Sequence, residues 1–124
     1  MTQELNRPSQ VAVNLPELLA RVENDRDLMC ELFGIFKEAF PPLLRLLQES
    51  VARGDTKRVA TTSHALTGML SGLSATPAAM LAQRVEQMGR AGETVGLADA
   101  LKLFEQAVAN LLPEVDSYTT KAEL

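Results

Sequence analysis

The stretch from Asp55 to Ala75, DTKRVATTSHALTGMLSGLSA, constrains the fold more than any other part of this sequence. Wound at 3.6 residues per turn, it gathers Val59, Leu66, Met69, Leu70 and Leu73 on one side. His64, the only histidine in the chain, stands on the other. Within about 60° of it lie Lys57, Ala60, Thr61, Thr67, Gly68 and Ser71, with Gly72 slightly further round. One face is a core stripe, and the other is a small-residue platform carrying a single imidazole. Gly68 and Gly72 each cost about 1 kcal/mol relative to Ala in a helix interior, so the pattern trades stability for close access to that ring.

A helix of this kind needs neighbours to cover its apolar stripe, and the rest of the chain supplies them. The composition is 46% hydrophobic but only 4% aromatic, with β-branched residues sparse, which favours helices over sheet. Asn14 caps a short helix edged by Leu15, Leu18, Leu19 and Val22. Asn24 or Asp25 caps a second, with Leu28, Leu32, Ile35, Phe36 and Ala39 as its expected core stripe. Pro41 and Pro42 predict a break after Phe40. A third helix then carries Leu43, Leu44, Leu46, Leu47 and Val51 to a stop at Gly54, and Asp55 caps the His64 helix. Thr76-Pro77 starts a helix with Ala78, Leu81, Val85 and Met88 inward; Gly89 to Gly96 is the turn. Leu97, Leu101, Phe104, Val108, Leu111 and Val115 mark the last helix.

These 124 residues fit one all-α domain, an antiparallel up-down four-helix bundle with a short N-terminal helical extension. The bundle is expected over residues 15–115, behind a flexible N-terminal arm (1–14) and ahead of a frayed polar tail (116–124).

A formal net charge of −4 opposes nucleic acid and anionic membrane as partners, since both reward clustered Lys and Arg. The single Cys30 reads as a small buried hydrophobe in a reducing cytoplasm, and no apolar run reaches the length of a membrane span. A metal site or a haem would need several inward ligands, and a hydrolase a second acid–base partner for His64; the sequence offers neither, so no metal, no cofactor and no self-contained active site are expected. A lone neutral imidazole can still accept a phosphoryl group from a partner that brings its own metal and catalytic residues.

The segment Ser63-His64-Ala65-Leu66-Thr67-Gly68, followed by Gly72-Leu73-Ser74-Ala75, resembles the motif of histidine-containing phosphotransfer (HPt) domains, His-x-Leu-Lys-Gly. The resemblance extends through Asp25 to Phe36, the Phe40-Pro41-Pro42-Leu43-Leu44 step and Gly54-Asp55, covering residues 15 to 112. It implies that His64 is the phosphorylated residue of a multistep phosphorelay carrier, with Gly68 admitting a receiver domain. The implied partners are a response-regulator receiver and a hybrid sensor kinase, met by a cytoplasmic monomer.

Thr67 departs from the family's lysine and replaces an ammonium by a neutral hydroxyl; Lys57 or Arg84 would have to supply the missing charge. The docking surface implied is Ala60, Thr61, Ser71 and Gly72 with Arg84. The bland readings are a small-residue face that lets another helix pack closely, and ordinary solvated Gln83, Gln87, Arg58 and Arg90. Thr67 also leaves open a phosphate-free adaptor that docks or sequesters a receiver or another signalling protein.

Overall fold

The computed structural model describes residues 12–123, with side chains described through Thr119. Five helices lie within them: α1 (Leu15–Arg21), α2 (Arg26–Arg53), α3 (Thr56–Gly72), α4 (Thr76–Arg90) and α5 (Leu97–Glu123). Each long helix packs on its neighbour in sequence, and α5 closes the ring against α2, while α1 lies beside α2. Short connections between successive helices give the four-helix up-down bundle that the periodicity predicts.

Side chains stop and start the helices as expected. Asn14, Asp25 and Asp55 accept from the backbone N–H of Glu17, Leu28 and Arg58, and Gly54 ends α2 in the left-handed region at φ 69°. α5 buries Leu97, Leu101, Phe104, Val108, Leu111 and Val115, the whole predicted stripe.

The break after Phe40 does not occur: α2 runs unbroken through Pro41 and Pro42. Each proline leaves one carbonyl of the preceding turn without its helical donor, at Lys37 and Glu38. Both of those residues and both prolines are exposed, on the side of the helix that faces solvent, while buried Phe36, Phe40 and Leu47 hold the helix on either side.

The stripe of α2 is also rotated from the one expected. Met29, Phe33, Phe36 and Phe40 are buried, whereas Leu28 and Ile35 are exposed and Cys30 is only half-buried. Two apolar phases compete on this helix, and the one that buries three phenyl rings removes more surface from water. Phe36 and Phe40 lie 4.7 Å apart between ring centroids, and Phe40 reaches Phe104 of α5 at 6.4 Å.

Residues 1–11 of the expected arm lie outside the described residues, but its last residues are packed. The N–H groups of Ala12 and Val13 donate to the two carboxylate oxygens of Glu114 at 2.9 and 3.2 Å, and the Asn14 N–H donates to the Ser74 carbonyl at 2.9 Å. Helix α5 likewise continues beyond Asp116 through Glu123, with Tyr118 half-buried against Phe33.

Candidate functional site

The core stripe of α3 is Val59, Leu66 and Leu70, which fixes the opposite face, and His64 with it, toward solvent. The side chain of His64 is 71% exposed. Its neighbours on the helix turn their hydroxyls inward onto their own backbone. Ser63 donates to the Val59 carbonyl, Thr67 to the Ser63 carbonyl at 2.8 Å, and Thr61 to the Arg58 carbonyl at 3.2 Å. The Thr67 proton is therefore already spent on the helix.

Helix α4 supplies what the single-helix reading lacked. Its buried face is Ala78, Ala79, Ala82, Val85, Glu86 and Gly89, small enough for α4 to lie directly on α3. A methyl group at Gly89 would stand 2.8 Å from the Ala60 nitrogen and 2.9 Å from the Thr56 carbonyl oxygen, so the two backbones touch there. That contact sets the register that carries Glu86 to His64. Nδ1 of His64 lies 3.0 Å from Oε2 of Glu86, a carboxylate only 8% exposed, and Arg90 Nη2 lies 2.6 Å from the same oxygen. A buried carboxylate needs donors, and these two meet on one oxygen.

With a carboxylate as its partner, Nδ1 carries the ring proton, which leaves Nε2 with the lone pair on an exposed side chain. The arrangement is that of an oriented nucleophile. Among the described residues no three His, Cys, Asp or Glu side chains gather as a metal site would require.

The structure separates the residues proposed from sequence. Lys57, Thr61, Gly68, Ser71 and Gly72 are exposed with His64, and a methyl group added at Gly68 or Gly72 would meet nothing within 4 Å. Ala60 is half-buried, with its backbone nitrogen against Gly89, so it is less open than those residues. Arg84 is exposed but sits about 200° around α4 from Glu86, away from the imidazole.

Sequence reasoning missed Glu86 and Arg21, and left Arg90 as a solvated residue. Glu86 had a signal: it is the one charged residue in phase with Ala78, Ala82, Val85 and Gly89. Arg21 had none, because it reaches the site only through the fold. Its Nη1 donates to the Ser71 carbonyl at 2.8 Å, and it lines a cleft of about 190 Å³ with Thr67, Ser71 and Gln83.

The family model described as Hpt domain matches residues 31–116 of the sequence, a span that holds His64, Glu86 and Arg90. No curated protein and no solved structure matches the chain.

Proposed function

The chain belongs to the Hpt domain family, whose members are phosphocarrier modules of phosphorelays, and on that premise we propose that His64 is the residue that carries the phosphoryl group. The observation that carries this reading is the exposed imidazole with Nδ1 held by buried Glu86. Hpt domains work with receiver domains and kinases, and here a receiver docks over Thr61, Gly68, Ser71 and Gly72, where the surface is open.

The Nε2 lone pair of His64 attacks the phosphorus of the receiver's aspartyl phosphate. An N–P bond forms as the acyl O–P bond breaks, and the electron pair leaves with the aspartate carboxylate. The reverse reaction on a second receiver returns His64 to its starting state. A metal ion held by the receiver's acidic pocket would meet the charge of the transferring group, so this chain need only present and orient the ring. We further propose a monomeric carrier working in the cytoplasm; no helix among the described residues is long and apolar enough to cross a membrane.

Thr67 favours one other reading. With its hydroxyl turned onto Ser63 and no ammonium in its place, the same surface would serve an adaptor that docks a receiver without taking phosphate. Phosphoryl uptake from a panel of phosphorylated receiver domains, followed by intact mass, decides between them. The carrier shows an acid-labile adduct in the wild type and none in His64→Gln; receiver binding without an adduct in either protein establishes the adaptor.

A further inference from the structure

The buried Glu86 carboxylate demands a cation, and two groups are placed to supply one. Arg90 touches Oε2 at 2.6 Å and His64 touches the same oxygen at 3.0 Å. Only one of them can be a cation without cost to the chemistry. An imidazolium has protons on both nitrogens and no lone pair with which to attack phosphorus, so a histidine recruited as Glu86's counter-ion is lost as a nucleophile.

Arg90 is charged at every working pH, and its shorter contact is that of a charge-assisted hydrogen bond. We propose that Arg90 is the positioning residue that balances the charge of Glu86, so that Glu86 can hold Nδ1 of His64 without drawing a second proton onto the ring. The inference rests on the carrier reading of His64. It assigns Glu86 and Arg90 separate tasks: one orients the imidazole, and the other keeps it neutral.

Other charges bear on the ring less directly. Lys57 lies on the same face of α3, two turns before His64. Arg21 of α1 is engaged further along α3, at the Ser71 carbonyl. Neither touches Glu86 in the way Arg90 does, so removing Arg90 alone leaves the carboxylate with His64 as its nearest source of positive charge.

Because His64 is the only histidine, its ring nitrogens can be followed by ¹⁵N NMR without assignment, in protein that has met no phosphodonor. Wild type at pH 7.5 is expected to show a neutral ring protonated at Nδ1. Arg90→Gln is expected to show an imidazolium, Arg90→Lys to return toward neutral, and Glu86→Gln/Arg90→Gln to be neutral, since the amide needs no cation. Phosphoryl uptake from phosphoramidate, in which His64 displaces ammonia from phosphorus, should follow the same order. The Arg90→Gln rate should fall about three- to tenfold relative to wild type near pH 7 and match it near pH 9.

Arg90 is 65% exposed, so its loss leaves the core intact, and a thermal melt checks this. An unchanged protonation state in Arg90→Gln overturns the proposal, as does a slow rate relieved neither by alkaline pH nor by the second substitution. If the ring titrates as described and wild type takes no phosphate, the carrier reading fails and the charge balance stands.

Discussion

At position 67 the chain carries a hydroxyl that donates to its own helix, one turn from His64, where the HPt pattern has an ammonium. A hydrogen bond from a charged donor is about twice as strong as a neutral one, so Thr67→Lys should raise phosphoryl uptake from a receiver about threefold. Lys57→Ala should slow uptake in the wild-type background and have little effect once Lys occupies position 67, because the two cations would then serve the same oxygens. Rates in this four-protein set measure the coupling: equal losses from Lys57→Ala in both backgrounds would show that the two positions do not serve the same oxygens, and no loss in either would remove Lys57 from the site. What was legible at this scale was whatever lies on α3 itself: the exposed ring, Thr67 and the open glycines all follow from helical phase. Glu86 and Arg21 were not, because their partners come from other elements and depend on register, which no single-helix pattern contains.

Register is a property of the elements, and the contact of Gly89 with Ala60 and Thr56 is its anchor. Gly89→Ala would push a methyl group into backbone atoms that cannot turn aside, at a cost of about 1–3 kcal/mol, and would move Glu86 away from His64. The three glycines of the α3–α4 pair therefore separate in a urea titration. Gly89→Ala should lower the midpoint, whereas Gly68→Ala should stabilise the protein by about 1 kcal/mol and Gly72→Ala, at the last residue of α3, by less, their methyl groups meeting nothing within 4 Å. The same Gly68→Ala and Gly72→Ala variants should lose receiver-dependent uptake while keeping uptake from phosphoramidate. Normal uptake from the receiver would mean that these glycines do not face it. The small residues of α3 thus fall in two environments, which the sequence presents as one platform. The α2 helix shows a similar ambiguity: its two apolar phases and two prolines are resolved by the rings of Phe33, Phe36 and Phe40 packing into the core, a tertiary preference invisible along the chain.

Across the whole molecule, the carboxylate of Glu114 ties the start of the described chain to its last helix. It accepts from Ala12 and Val13, and from the Tyr118 hydroxyl at 2.6 Å. Through that tie and the Asn14–Ser74 bond, α1 is held where Arg21 can reach Ser71. Burial, then the hydrogen bond to Glu114 and the charge of that carboxylate, push the Tyr118 hydroxyl above the usual phenol range. A phenolate there would set two anions against each other and free the acceptor it had satisfied. The folded state therefore holds this proton more tightly than the unfolded state, whose tyrosine titrates near pH 10. The stability it contributes is full below that pH and is lost as the pH rises toward the folded value. Urea midpoints should accordingly fall above about pH 10 in the wild type, and the fall should be smaller in Tyr118→Phe, which keeps the ring against Phe33 and gives up about 1 kcal/mol for the lost hydrogen bond at neutral pH. Tyr118 is the only tyrosine and there is no tryptophan, so phenolate absorbance reports this one group. Ionisation near pH 10 in the folded protein, with identical alkaline midpoints in the two proteins, would show that the tie does not depend on the Tyr118 proton.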